Sequence, residues 1–329
     1  MFSLIVCSVN PETAGSSGGN AATNSSPFDT AVSDNGVSHS DVLPCSPLGG
    51  VLCGLSPAGA FRVPGKATRV RVVVPLYKPA LDAAERLSLA HNARVLHRYP
   101  HTLLVPEGMP ADEALSLLPD GTDVSVVEVG THWLGRENGI AGYNRMMLSG
   151  EFYDLFADCD YILVCQTDAW VFRDSLALWC DEGYDYVGAP WVKRRIYSNP
   201  LIACYLALRR RLFEREMRLL RQSLFDKVGN GGLSLRRVEA CRRACAEYAG
   251  EAEYFLSHSG HLYNEDVFWA VVPRGFRYPD VRKALDFAFD TNPAYCYALK
   301  NGRLPFGCHA WSKPRYLRFW QRFIPFDRP

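Results

Sequence analysis

Residues 165–170 read CQTDAW and follow Tyr161, Ile162, Leu163 and Val164, an apolar run with the composition of a buried strand. Gln166 and Asp168 therefore stand one residue apart at a strand tip, where side-chain oxygens can hold a divalent cation. Late in the chain, His309 sits in LPFGCHAW (residues 304–311) and offers a ring nitrogen, which Mn²⁺ accepts beside oxygen ligands. Glu265 and Asp266 are adjacent ahead of an apolar helical stretch, so one can face a site as proton acceptor while the other caps the helix. Trp191, Trp269 and Trp311 offer flat apolar surfaces of the kind on which sugar rings stack. Together these residue types suit one chemistry. A cation neutralises the diphosphate of a leaving group while a carboxylate takes the proton of the attacking hydroxyl. Each alone has a plainer explanation: a turn aspartate, a loop histidine, an N-cap, a glycine turn. Their order along the chain, strand Asp, Gly-rich loop, acidic pair and late His, is what makes them one candidate site.

Such a site needs a frame. RVRVVVPLYKP (69–79) carries Val70, Val72, Val73 and Val74, a β-branched run for a strand buried on both faces, ended by Pro75. A helical pattern follows, with Leu81, Leu87, Leu89, Val95 and Leu96 on or near one face. HTLLVP, DVSVVEV (123–129), YILVCQTD and YDYVGAP (184–190) read as further strands, and GIAGYNRMMLSGEFYDLFADC as one or two helices between them. Strands alternating with helices imply crossover connections and a mostly parallel sheet. Ligands bind such sheets outside the carboxyl ends of the strands, where Tyr77 and Asp168 both lie. VGNGGLSLRRVEAC (228–241) contributes glycines that permit a turn and a close approach to a ligand.

Residues 193–227 interrupt the pattern with a helical, basic segment. It holds ten lysines and arginines against three acids, although the whole chain is only +1. It is expected to be either a solvated helical face or a basic surface for an anionic membrane or a phosphorylated acceptor. Residues 1–65 are expected to form a disordered low-complexity tail, because stretches such as PETAGSSGGNAATNSS have too little apolar surface to offset ordering. Residues 316–329 are expected to be a C-terminal tail. With 48% hydrophobic and 22% charged residues and a balanced charge, nothing points to nucleic acid. Eleven scattered cysteines, an odd number without any CxxC pair, suggest a reduced, cytoplasmic protein with neither disulfide framework nor zinc site. The short apolar start lacks the features of a signal peptide, and no stretch is long and apolar enough to span a bilayer.

The stretches VVVPLYKP, GYNRMMLSGEFYDLF, YILVCQTDAWVF, YDYVGAPW, VGNGGLSLR, NEDVFW and PFGCHAW, in that order from about residue 70 to 315, resemble the GT-A glycosyltransferases. More closely, they resemble a bacterial family of glycosyltransferase-like proteins classed as a domain of unknown function. The resemblance implies an α/β fold, GT-A-like (Rossmann-like), whose mostly parallel mixed sheet is flanked by helices, with residues 66–315 as the catalytic domain and 193–227 as a basic helical insertion. It implies Asp168, Gln166 and His309 as ligands of Mn²⁺ or Mg²⁺. Gln166 stands where the family motif has its first Asp, a weaker ligand that puts tight metal binding in doubt. It places Pro75 and Tyr77 at the nucleotide base, Asn144 and Arg145 at the ribose or diphosphate, and Gly231 and Gly232 beside the acceptor sugar, with Trp191 and Trp269 as acceptor surfaces. Asp266 is implied as the base, with Glu265 second. The implied activity is inverting transfer of a sugar from a nucleotide donor to a glycan or lipid-linked acceptor, in surface polysaccharide or glycoconjugate synthesis. The enzyme would be cytoplasmic, meeting the inner face of the membrane if 193–227 binds lipid. The alternative is a non-catalytic binder of sugar nucleotides or glycans on a degenerate scaffold. A metal-dependent hydrolase of nucleotide diphosphates is disfavoured, because the clustered acids and histidines of two-metal sites are missing.

Overall fold

The computed structural model describes residues 68–135, 138–214 and 220–326. The expected tail at 1–65 lies outside the described residues. In chain order the elements are β1 (Val70–Pro75), α1 (Ala83–Val95), β2 (His101–Pro106), α2 (Asp112–Ser116), β3 (Val124–Val129), α3 (Gly139–Met147), α4 (Gly150–Asp154), β4 (Tyr161–Cys165), β5 (Trp170–Val171), α5 (Leu176–Asp181), β6 (Tyr186–Val187) and α6 (Pro200–Glu214). They continue as β7 (Leu233–Arg237), α7 (Val238–Glu247), α8 (Ala249–Leu256), α9 (Glu265–Val271), α10 (Val281–Phe287), β8 (Ala288–Phe289), α11 (Pro293–Leu299), β9 (Gly307–Cys308) and α12 (Pro314–Trp320).

Six strands form one mixed sheet in the order β3-β2-β1-β4-β7-β6. β1 pairs in parallel with β2 and β4, β2 with β3, and β7 runs antiparallel to both β4 and β6. The two faces are apolar for the reason the valine run suggests. Val72 and Val74 enter one core cluster and Val73 the other, while Leu163 and Cys165 alternate with Ile162 and Val164 in the same way. From β1 the chain winds out through β2 to β3 and then returns to β4 on the other side of β1. The crevice between the carboxyl ends of β1 and β4 is thus the switch point at which open α/β sheets bind ligands.

A second sheet, β5-β9-β8, is small and was not anticipated: each strand has two residues, too few to show any period. It matters because Asp168 lies two residues before β5, Asp290 follows β8 and His309 follows β9. Helix α1 fastens this sheet to the main one. It opens on a capping box, Asp82 accepting from the Ala84 and Glu85 amides while Glu85 accepts from the Asp82 amide. Further along, Asn92 Nδ2 donates to Ala169 O and Asn92 Oδ1 accepts from Val171 N, both at 2.8 Å.

Two expectations are corrected. The strand expected over 184–190 is regular only at Tyr186–Val187; beyond Gly188, where the Gly229 carbonyl lies too close for a β-carbon, only an isolated bridge from Pro190 to Val228 remains. Residues 316–326 are not a tail. Leu317, Trp320 and Ile324 are buried with Trp311 and Phe289 in a third core cluster, and α12 starts on Pro314 at its first turn.

Candidate functional site

At the carboxyl end of β4, beside the loop that leads into β7, a pocket of about 410 Å³, counting its open mouth, is lined by Asn144, Gln166, Asn230, Gly231, Gly232, Glu265, Asp266, Asp290 and His309, with Ile140, Tyr143 and Asn264 completing it. The small sheet builds one wall. Phe289 and Cys308 are register partners, so the next residues, Asp290 and His309, fall side by side. His309 Nε2 lies 2.9 Å from Asp168 Oδ1 and 3.2 Å from Gln166 Oε1, and its Nδ1 faces Asp290 Oδ1 at 3.5 Å. Ala310, next in the chain and fully buried, is held at φ +56°, a left-handed conformation that a non-glycine residue adopts at a cost of about 1–3 kcal/mol.

Charge on this wall is shared. Burial would push the Asp168 carboxyl up, but the neighbouring His309 and then Lys313 hold it below its ordinary value. Burial would likewise lower His309, but Asp168 and Asp290 raise it to about 10. Without a cation, Asp168 and His309 are therefore a charged pair.

The floor is different. Arg236, on β7, is fully buried. It donates to both oxygens of Glu265 (3.0 and 3.2 Å), to Tyr153 Oη (3.1 Å) and to Ser234 Oγ (3.0 Å). Glu265 is thereby committed. Asp266, one residue on, lines the pocket, and its carboxyl is pushed up to about 7 by burial first and by Glu265 and Asp290 after it. The two acids separate because adjacent residues of a helix point about 100° apart.

Several expected residues converge here, with different contacts from those expected. Gln166, Asp168 and His309 meet, and Glu265 and Asp266 stand beside them. Asn144 lines the pocket, yet its amide serves α9: Oδ1 accepts from Glu265 N (3.1 Å) and Nδ2 donates to Asn264 Oδ1 (3.2 Å). Gly231 and Gly232 line it too, but a β-carbon there would strike the Glu265 carboxylate and the His309 ring. The room they leave is filled by those site side chains, which corrects the expectation of room for a sugar.

Others do not converge. Arg145 is exposed on α3 and faces Glu253 at 4.0 Å, so its expected donor contact is not met. Trp269 is fully buried among Tyr153, Tyr186, Phe268 and Phe276, Trp191 packs over Gly229, and Trp311 donates to Ser88 in the core. No ring face of the three is left for an acceptor, because packing claimed their large apolar area. Pro75 and Tyr77 end β1 at the same crevice but do not line the pocket.

Asp290, Asn230 and Lys313 were missed. Asn230 takes a left-handed conformation (φ +69°), and its Oδ1 accepts from Gly232 N at 3.0 Å. Its Nδ2 is buried without a hydrogen-bond partner, as are Tyr143 Oη, Asp290 Oδ1 and His309 Nδ1. Such atoms are scarce in native proteins. His309 Nδ1 and Asp290 Oδ1 face each other at 3.5 Å, which leaves Asn230 Nδ2 and Tyr143 Oη as the groups a ligand in the pocket can meet.

A divalent cation fits the donor set in one specific way. Among the described residues no three His, Cys, Asp or Glu side chains are grouped to hold a metal ion. Asp168 Oδ1 and the Gln166 amide oxygen nevertheless lie 2.9 and 3.2 Å from His309 Nε2, separations that cis ligands of a cation with bonds of about 2.1 Å have, and a Mg²⁺-type ion completes its shell with substrate phosphates.

No curated protein sequence matches the chain. Among solved structures it is similar to the galactosyltransferase LgtC in complex with donor and acceptor sugar analogs, at 14% identity over 78% of this chain and 97% of that one, TM-score 0.47. It is also similar to core-mannan synthase A from Aspergillus fumigatus in its Mn/GDP form (9%, 62% and 70%, TM-score 0.41) and to mouse xyloside xylosyltransferase 1 in its apo form (12%, 74% and 97%, TM-score 0.44). The family model described as protein of unknown function (DUF5672) matches residues 123–309, more than half of the 329, from the strand that edges the sheet to the histidine of the site, and the chain belongs to that family.

Proposed function

We propose that this pocket is the active site of a GT-A-type glycosyltransferase that takes a sugar from a nucleotide donor. The observation that carries the reading is the meeting of Asp168, Gln166 and His309 at the carboxyl end of β4, beside a pocket that Asp266 also lines. Asp168 and His309 would hold Mn²⁺ or Mg²⁺, with the Gln166 amide as a weaker third ligand. The bound cation supplies positive charge to the diphosphate leaving group. Lys313, whose charge reaches both Asp168 and Asp290, adds a cation on the same side. Asn230 Nδ2 donates to a donor oxygen. The base and ribose lie toward Pro75 and Tyr77.

In the transfer the acceptor oxygen bonds to the anomeric carbon, the bond from that carbon to the diphosphate breaks, and the nucleoside diphosphate leaves with the bonding pair. The acceptor proton passes to Asp266. A carboxyl titrating near 7 suits that role, because a base works best with a pKa close to the operating pH. Glu265, locked to Arg236, holds the start of α9 and thereby aims Asp266. With Glu265 held by Arg236 and Asp290 turned to His309, Asp266 is the base of a single displacement with inversion. The acceptor is a glycan or lipid-linked hydroxyl, and the setting is the synthesis of bacterial surface glycans.

Calorimetric titration of UDP, GDP, CDP and ADP, with and without Mn²⁺, tests the reading. Metal-dependent binding of one nucleotide, lost in Asp168→Ala, is expected; no binding of any would overturn it. Gln166 in place of an acid favours one competing reading, a binder of sugar nucleotides without turnover. It requires donor binding with no release of nucleoside diphosphate in the presence of acceptors.

A further inference from the structure

The segment that starts at Lys193 and ends at Lys227 has its two ends tied together, with Leu224 anchored in the core. Trp191 N donates to Lys227 O, Asp226 N donates to Trp191 O and Lys193 N donates to Asp226 Oδ1, all at 2.9 Å, and Pro190 and Val228 form an antiparallel bridge. Gly229 follows Val228, and then come Asn230, Gly231 and Gly232, which line the pocket. The segment is thus an arm rooted at the pocket's glycine loop.

The arm carries α6. Ile202, Ala203 and Leu206 on this helix are half-buried, and the Leu206 carbonyl accepts from Gln222 Nε2 at 3.0 Å. The opposite face is apolar and open: Leu201 is 82% exposed, Tyr205 61% and Leu208 58%, with Ile196 just ahead at 58%. Spacings of four and three residues put Leu201, Tyr205 and Leu208 in one stripe. At 100° per residue, Arg209 and Arg211 fall about 80° to either side of Leu201, so the stripe has an arginine on each flank. Both are exposed. The arm as a whole holds ten lysines and arginines against three acids. Among the described residues no helix is long and apolar enough to cross a membrane. An apolar stripe bordered by long cationic side chains is the form of a helix that lies in a bilayer interface, its apolar side chains among the acyl chains and its arginines at anionic headgroups. A symmetric pairing of two copies through this face would instead set one basic arm against another.

We propose that α6 docks on an anionic lipid surface and that the pocket beside its root draws its acceptor, a lipid-linked hydroxyl, from that surface. The acceptor half of this statement rests on the glycosyltransferase reading; the docking half does not.

The test is co-sedimentation of the full chain with phosphatidylcholine vesicles and with vesicles containing phosphatidylglycerol, alongside the nucleotide titration. Binding to the anionic vesicles is expected, weakened by salt and at least about tenfold weaker on the neutral ones. Leu201→Ser/Tyr205→Ser/Leu208→Ser should reduce anionic binding by about tenfold or more while its nucleotide titration matches that of the parent, which shows that the variant is folded. No partition of the parent chain, or equal partition of the variant, overturns the docking face. So does a lipid-free, concentration-dependent dimer that the same variant abolishes. Vesicle binding without nucleotide binding would fail the glycosyltransferase reading and leave the docking face standing.

Discussion

The floor and the wall of the pocket are both built of charged groups, and they are opposites. On the floor, Arg236 and Glu265 satisfy each other with two hydrogen bonds and are closed by Tyr153 and Ser234. On the wall, Asp168, Gln166, His309 and Asp290 crowd one ring, and buried polar atoms go without partners. A saturated buried network fixes geometry, whereas an unsaturated one keeps hydrogen-bonding capacity that a ligand can take up. Glu265 and Asp266, neighbours in the chain, fall on the two sides of this division. The first is a structural ion, and the second is the base in the function proposed above.

Substitutions can break the division from either side. The largest effect is expected from Asp266→Asn, which should leave donor affinity within about twofold but lower turnover by about a hundredfold or more, the size of a lost general base. The pH profile sharpens the same point. Because the Asp266 carboxyl is raised to about 7, it is protonated and idle below that pH. Turnover in the parent should therefore climb as pH rises through about 7, and the residual activity of Asp266→Asn should lack that limb. Full activity of the parent at pH 5 would contradict the assignment.

On the floor the expected loss is of stability. Arg236→Met strands a buried carboxylate, and Glu265→Gln a buried guanidinium. Either should lower unfolding free energy by about 3–5 kcal/mol in denaturant titration, and the double variant by much less than the sum. Additive losses would mean that the pair is not coupled. On the wall, Asn230→Ala removes a donor that has no partner in the free protein. It should weaken nucleotide-sugar binding by roughly tenfold and, because Asn230 Oδ1 also accepts from Gly232 N at a left-handed backbone position, lower stability by about 1–3 kcal/mol. The smallest effect is expected at Arg145→Ala, outside the pocket in an exposed ion pair: within about 0.5 kcal/mol in stability and no change in donor affinity.

The same contrast explains what could be read in the sequence. The valine run of β1, the apolar run of β4 and the oxygens at its tip carry their own signals in composition and period. So does the acidic pair ahead of α9. Asp290 carries none, because its neighbour His309 is brought to it by two-residue strands that no periodicity reveals. Arg236 reads only as one of two basic residues after Leu-Ser-Leu; its burial depends on Glu265, 29 positions away. The tryptophans misled for a related reason: a ring that could stack on a sugar is equally able to fill a core, and packing decided the matter. Asn144 and Arg145 separate as Glu265 and Asp266 do, by one step of a helix.

The most direct measurement of the central claim is anomalous scattering from crystals grown with Mn²⁺ and the nucleoside diphosphate that titration selects. The expected result is a single peak bounded by the Asp168 carboxylate, His309 Nε2 and the Gln166 amide oxygen, with diphosphate oxygens completing its shell and Asp266 facing the sugar side. A nucleotide bound in the pocket with Mn²⁺ elsewhere, or with the Asp168–His309 pair still closed, would contradict it.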